Sequence, residues 1–298
     1  MSNPSQLPII IVGDGKWGTA IGSLLRHNQK KFSFWKKGEN LPDNSIIVMC
    51  IPTPAIREVL KRSGGNLTRA VYVNGAKGVE KESHKLPHQI VTELLGPQID
   101  YFSLIGPSFA GEVLDKVPTL VNIGYRSKKN APLVRDLFQT DYFRVRLTHD
   151  VEALELASAF KNVYAIACGM AAGLGYGVNT RTKLMLLAME EFYGLSQKLS
   201  YPIDRSALPG TIGDLILTCS SEESRNFSFG KLLTRHDVRT SLEMVGETVE
   251  GYTTARTIAS FEKATRVSLP LARFVHDNTQ NDASSDLRKR FTDFVRCS

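Results

Sequence analysis

Cysteine is scarce in this 298-residue chain. Its four cysteines, Cys50, Cys168, Cys219 and Cys297, lie far apart and form no CxxC pair. That excludes a dense disulfide framework. Cys50 and Cys168 fall in apolar segments, so buried free thiols and a reducing, cytoplasmic setting are expected. The six histidines form no ligand-spaced pair, so no metal site is expected. Long hydrophobic runs are also few. Leu156–Leu174 is the only candidate membrane span, and Lys161, Asn162 and the glycines from Gly169 onward argue against it. The N-terminal MSNPSQLPIIIVGDG has no basic region and only a short apolar run, so no signal peptide is expected. Internal repeats, low-complexity stretches and Pro/Gly/Ser-rich linkers are absent as well.

What is present suits two domains, because the length is generous for one core and the apolar content can fill two. A formal net charge of +7 implies an anionic partner, which could be nucleic acid, a membrane surface or a phosphorylated metabolite. Charge alone does not choose among them.

The first half reads as an α/β pattern. Leu7–Val12 is an apolar strand, Gly13-Asp14-Gly15-Lys16-Trp17-Gly18 follows it, and Thr19–Arg26 is a helix. A lone G-x-G-x-x-G is a weak signal. Between a strand and a helix it reads as a dinucleotide loop, with glycines for the tight turn and a helix N-terminus for the pyrophosphate. Phe32–Trp35 is the second strand. NAD-selective loops place an acid at its end, but here Trp35-Lys36-Lys37-Gly38 is basic and Glu39 falls past the glycine. Lys36 and Lys37 suit a 2′-phosphate, which favours NADP(H) and leaves NAD(H) open; the alternative is a solvated basic turn. Further strands are read at Ser45–Ile51, Ala70–Asn74, Tyr101–Ile105, Thr119–Ile123 and Phe143–Leu147, in a parallel sheet. Ligands bind at the carboxyl ends of such strands. The loops Pro52-Thr53-Pro54, Gly75–Glu80 and Gly106–Ala110 are expected there, with Lys77 facing a ligand or standing as an ordinary surface lysine.

From Asp150 the strand pattern stops. Asp150 can cap a helix beginning at Val151, and helices are read at about 151–174, 179–200, 230–236, 252–263 and 269–277. The division is therefore 1–149 for dinucleotide binding and 150–298 for a helical substrate domain. The run LASAFKNVYAIACGMAAGL is apolar almost all round, as in a buried helix, yet carries Lys161. Such a lysine either snorkels to water along its stem or serves as a proton donor, since a desolvated amine exchanges protons nearer neutral pH. Downstream, Asp214 follows the glycines of Gly210-Thr211-Ile212-Gly213. Ser224-Arg225-Asn226 supplies hydroxyl, guanidinium and amide donors at a helix start, which suit a phosphate monoester or an ordinary capped surface helix.

Taken together, GDGKWGTA, NGAKGVE, IGPSFAGE, ELASAFKNVYAIACG, GTIGDLILTCSSEESRNFSFG and ETVEGYTTA, in order from residue 13 to about 255, resemble the bacterial-type NAD(P)-dependent glycerol-3-phosphate dehydrogenases. The resemblance implies an N-terminal Rossmann domain followed by an all-helical substrate domain. It also implies reversible reduction of dihydroxyacetone phosphate to sn-glycerol 3-phosphate for phospholipid synthesis. On that basis Lys161 is the proton-transfer lysine, Lys77 touches cofactor and substrate, and Asp214 is the acid beside the catalytic amine. Gly106, Ser108, Ser224, Arg225 and Asn226 contact substrate. Gly13, Gly15, Lys16, Trp17, Gly18, Ala110, Arg225, Thr248 and Glu250 serve the cofactor, joined by Lys37 as read above from its charge. The expected partner is a small phosphorylated substrate, without nucleic acid or membrane span; a homodimer is the assembly to test. Two features depart from the pattern: a shortened segment between Trp35 and Ser45, and an unmatched tail with Arg288-Lys289-Arg290. Rival readings are a related dehydrogenase of a 3-hydroxy acid or ketopantoate, which needs a carboxylate site, and a silent NADP-binding regulatory module.

Overall fold

The computed structural model describes residues 7–63, 67–280 and 286–298. The chain divides into two compact units. One comprises the described residues of 1–80, 85–155 and 203–211, and the other those of 81–84, 156–202 and 212–298.

The first unit is built on a seven-stranded sheet. In chain order its elements are β1 (Ile9–Val12), α1 (Lys16–His27), β2 (Phe32–Phe34), β3 (Ile46–Met49), α2 (Thr53–Arg62), β4 (Val71–Asn74), α3 (Pro87–Leu95), β5 (Asp100–Ile105), α4 (Ala110–Leu114), β6 (Thr119–Tyr125), α5 (Ala131–Phe138) and β7 (Phe143–Thr148). The strand order is β2-β1-β3-β4-β5-β6-β7. Both faces are covered, which is why the central strands are continuous apolar runs rather than alternating ones. Ile9, Ile11, Val48 and Phe102 pack on the face that carries α1 and α5, while Val12, Ile47, Met49 and Tyr72 pack with α2 and α3.

Strands β2, β1, β3, β4 and β5 are parallel, so the loops at Gly13–Gly18, Thr53, Gly75–Val79 and Gly106–Phe109 leave one edge of the sheet. The expectation of a parallel sheet fails at β6, which runs antiparallel to β5. Helix α4 has five residues and spans about 7 Å, too little to carry the chain back along a strand of about 20 Å. The chain therefore turns round and pairs where it is. The α5 crossover then makes β7 parallel to β6.

Helix α6 (Val151–Gly173) begins in the first unit and α7 (Val178–Lys198) follows it. Asp150, read as a cap for α6, accepts from the Thr148 hydroxyl at 3.0 Å and the Asp204 amide at 3.0 Å. The second unit continues with α8 (Asp214–Ser220), α9 (Arg225–Leu232), α10 (Val238–Val245), α11 (Glu250–Ala255), α12 (Ile258–Thr265), α13 (Pro270–Gln280) and α14 (Leu287–Cys297). The helix read at 230–236 begins earlier because Ser224 caps it, its hydroxyl accepting from Phe227 N at 3.3 Å. The run read at 252–263 is broken at Arg256 and Thr257 into α11 and α12. Helices α6 and α9 cross with their backbones nearly touching: a Cβ at Gly230 would lie 2.0 Å from Ile166 O, and one at Gly169 2.0 Å from Phe227 O. The basic tail forms α14, which buries Leu287 and Phe291 while Arg290 Nε donates to Asn278 Oδ1 at 2.8 Å. All four cysteines are free; Cys168 and Cys219 are buried, Cys50 partly so, and burial pushes the Cys50 thiol up to about 12. Among the described residues no helix is long and apolar enough to cross a membrane.

Candidate functional site

In the first unit the glycine loop joins β1 to α1. Gly13 has φ +106°, and a Cβ there would lie 2.6 Å from Cys50 O. Gly18 lies so close behind it that its Cβ would meet Gly13 O at 1.9 Å. Gly15, the residue before α1, has open space where a Cβ would stand. Lys16 and Trp17 form the first turn of α1, and the buried Trp17 Nε1 has no hydrogen-bond partner. This indole also explains Gly75, where a Cβ would lie 2.7 Å from Trp17 Nε1. A tight turn, an open glycine and exposed helix-start amides fit the pyrophosphate of a dinucleotide.

Lys37 lies in the turn after β2, as expected. Glu39, placed by the sequence beyond the glycine, folds back: Glu39 N donates to Lys36 O at 3.0 Å, and Lys36 N donates to Glu39 Oε2 at 3.4 Å. The acid therefore stands at the same turn as the two lysines.

Lys77 is the partly exposed residue in a loop whose neighbours, Ala76 and Gly78–Glu80, are buried. Thr53 Oγ1 donates to Lys77 O at 2.9 Å, and Lys77 Nζ donates to Gly106 O at 3.3 Å. Ser108 Oγ donates to the same carbonyl at 3.2 Å. Gly106, Ser108 and Lys77 are thus brought together, and Ala110 opens α4 just beyond them.

In the second unit Lys161 is 6% exposed, Asp214 1% and Thr218 3%. Lys161 Nζ donates to Asp214 Oδ1 at 2.7 Å and to Thr218 Oγ1 at 2.6 Å. The Thr218 hydroxyl donates in turn to Asp214 O at 2.6 Å. Lys161 is therefore no snorkelling lysine: its amine is buried and ion-paired, the arrangement that preserves a charge away from water. Thr218 was not read from the sequence, although it stands four residues after Asp214, one turn along the same helix face.

Asn226 and Glu250 are joined through a second unread residue, Asn162. Asn162 Nδ2 donates to Glu250 Oε2 at 3.2 Å, and Asn226 Nδ2 donates to Asn162 Oδ1 at 3.0 Å. Asn226 Oδ1 accepts from Gly251 N at 2.8 Å. Arg225 is exposed at the start of α9, with Nη1 3.1 Å from Glu247 Oε2. Thr248 is exposed in the loop between α10 and α11, and Ser224 is buried as the α9 cap.

The family model described as the C-terminus of NAD-dependent glycerol-3-phosphate dehydrogenase matches residues 150–286, and its N-terminal counterpart matches residues 38–131. A glycerol-3-phosphate dehydrogenase [NAD(P)+] of Syntrophomonas wolfei is 32% identical, over 88% of this chain and 88% of that one. The chain belongs to the NAD-dependent glycerol-3-phosphate dehydrogenase family. A second relative of the same name, from Lawsonia intracellularis, is 30% identical over 93% of this chain and 90% of its own. The crystal structure of glycerol-3-phosphate dehydrogenase from Coxiella burnetii superposes with a TM-score of 0.87 at 26% identity, covering 98% of this chain and 99% of that one. Membership in the glycerol-3-phosphate dehydrogenase family agrees with the resemblance carried by the sequence motifs, and with the fold it implied.

Proposed function

We propose that this chain catalyses the reversible reduction of dihydroxyacetone phosphate to sn-glycerol 3-phosphate, with NADPH favoured over NADH, in the cytoplasm, supplying glycerophospholipid synthesis. Membership in the family supports the reaction. The observation that carries it to particular residues is the buried amine of Lys161, held by Asp214 and Thr218. The 3-hydroxy-acid, ketopantoate and silent-module readings are set aside, because the relatives share the glycerol-3-phosphate dehydrogenase name.

In this proposal residues 1–149 bind the dinucleotide through Gly13, Gly15, Lys16, Trp17 and Gly18, with Lys37 toward the 2′-phosphate and Ala110 as a further contact. A reduced nicotinamide, when bound, supplies the hydride. Negative charge then develops on the substrate carbonyl oxygen, and Lys161 Nζ delivers a proton to it. Asp214 and Thr218 fix the direction of that amine. Lys77 supplies positive potential to the developing charge in the role the resemblance gives it, with Gly106 and Ser108 shaping its surroundings. The start of α9, with Ser224, Arg225 and Asn226, takes the phosphate, so that binding energy remote from the carbonyl positions it. Arg225, Thr248 and Glu250 are assigned to the cofactor by the resemblance to the family. The test is direct: loss of reduced nicotinamide absorbance when protein, NADPH and dihydroxyacetone phosphate are mixed. Oxidation that depends on all three is expected, and no oxidation would overturn the proposal.

A further inference from the structure

A second buried acid lies apart from the Lys161 cluster. Glu155, in the first turns of α6, is 0% exposed. Its Oε1 accepts from Asn74 Nδ2 at 3.3 Å, from Ser103 Oγ at 2.5 Å and from the Tyr101 hydroxyl. Its Oε2 accepts from His88 N at 2.9 Å and stands 2.7 Å from His88 Nδ1. Burial alone would push this carboxyl up, but the adjoining His88 ring and the hydrogen bonds from His88, Ser103 and Tyr101 outweigh it and hold the group below the ordinary carboxylate range. Burying a charge is unfavourable before its partners compensate, and apolar residues can often replace such groups without loss of stability. The carboxylate therefore calls for an explanation beyond packing.

That explanation starts with Asn74, the last residue of β4. Its Oδ1 accepts from Ala76 N at 3.0 Å and its Nδ2 donates to Ala76 O at 3.0 Å, so one side chain sets the turn immediately before Lys77. An amide can be turned over about its last bond, exchanging donor for acceptor. The Ala76 carbonyl takes one Nδ2 proton, and Glu155, which as a carboxylate only accepts, takes the other, so the two together keep Nδ2 on their side and leave Oδ1 for Ala76 N. With the amide reversed, the Ala76 N–H would face a second donor and the turn would lose its shape. The same carboxylate binds Tyr101 and Ser103 on β5, the strand that ends at Ile105, one residue before the Gly106 carbonyl that Lys77 touches. One group thus binds the last residue of β4 and the body of β5, the two strands that lead to Lys77 and to Gly106.

We propose that Glu155 is the positioning residue for Lys77, acting through the orientation of the Asn74 amide. The proposal rests on the role given to Lys77 above. It is tested by a double-mutant cycle in kcat, measured with NADPH and dihydroxyacetone phosphate on wild type, Glu155→Gln, Lys77→Met and the double variant. A displacement of about 1 Å in a catalytic group costs on the order of 100-fold, so Glu155→Gln should lower kcat by about 10- to 100-fold. With Lys77 already replaced, the same change should cost less than about twofold, the scatter expected of uncoupled sites. A merely structural role would lower kcat equally in both backgrounds. Asn74→Ser provides the same test if Glu155→Gln does not fold, because it leaves His88, Tyr101 and Ser103 on the carboxylate. Its loss should likewise vanish with Lys77→Met. Equal losses in both backgrounds, or Asn74→Ser with wild-type kcat, would overturn the positioning role. Wild-type kcat in Lys77→Met would instead remove Lys77 from the reaction and with it the premise.

Discussion

Replacing Thr218 by valine removes one hydroxyl from the Lys161 cluster and keeps the branched shape of the side chain. The hydroxyl accepts from Lys161 Nζ at 2.6 Å and donates to Asp214 O at 2.6 Å, and the residue is 3% exposed. A hydrogen bond to a charged group is worth about 1.5–3 kcal/mol. If the amine must be held in one direction as it gives up its proton, that energy appears in the barrier, as a fall in kcat of about 10- to 150-fold. Asp214 stays in place, so the ion pair and the fold should survive. The melting temperature should fall modestly, because the buried Lys161 amine loses one acceptor while its ion pair to Asp214 remains. NADPH affinity, followed by fluorescence titration, should not change. Thr218→Ser restores the hydroxyl and should return kcat close to wild type. A valine variant with wild-type kcat, or a serine variant as impaired as the valine one, would show that the Thr218 hydroxyl does not hold the amine for proton transfer.

At the turn after β2, changing Lys36 and Lys37 together to alanine should weaken NADPH by about tenfold or more while sparing NADH, the expected loss of charge-assisted contacts to a 2′-phosphate. Equal effects on both cofactors in steady-state kinetics would contradict the assignment. Arg225→Lys keeps the charge and loses the fork, so KM for dihydroxyacetone phosphate should rise by about tenfold, and unchanged kinetics would move the phosphate site elsewhere. Glu191, 8% exposed on α7, accepts from the amides of Leu271 and Ala272, and burial pushes its carboxyl up from 4.5 to about 7. The folded chain therefore holds this proton more tightly than the unfolded one, so the stabilisation is complete below about pH 4.5 and is lost as pH rises through about 7, roughly 3 kcal/mol in all. Melting temperatures of Glu191→Gln should show a flatter pH dependence than wild type between about pH 5 and pH 8; an identical slope would assign the titration to another group.

The strands were legible because a sheet covered on both faces demands apolar runs, and Ile46–Met49 or Val71–Asn74 cannot be read otherwise. The direction of β6 was not, since it depends on the short span of α4 rather than on any strand residue. The glycine loop was legible because backbone approach at Gly13 and Gly18 leaves no room for a side chain. The folded-back Glu39 was hidden by a linear reading that placed it past Gly38, when the turn returns it to Lys36. Lys161 stood out as a charge in an apolar helix, and Asp214 as an acid beside glycines. Thr218, Asn162 and Glu155 did not stand out, because threonine, asparagine and glutamate are ordinary helix residues until the partners that bury them are seen. Their bonds to Asp214, Asn226 and Asn74 link positions 4, 64 and 81 residues apart. Only the first of these separations leaves a local trace.

Lys161→Met asks whether the Lys161 amine is the proton donor. Methionine fills similar volume but leaves the buried Asp214 carboxylate without its cation, so the variant should melt below wild type, and while folded it should still bind NADPH through the Gly13–Gly18 loop. General acid catalysis contributes about 10²–10⁴-fold, and turnover of dihydroxyacetone phosphate should fall by at least that order. Fluorescence titration with NADPH and turnover are to be measured on the same preparation. Lost turnover with retained NADPH binding is the predicted result; retained turnover in a variant that binds NADPH would contradict the account.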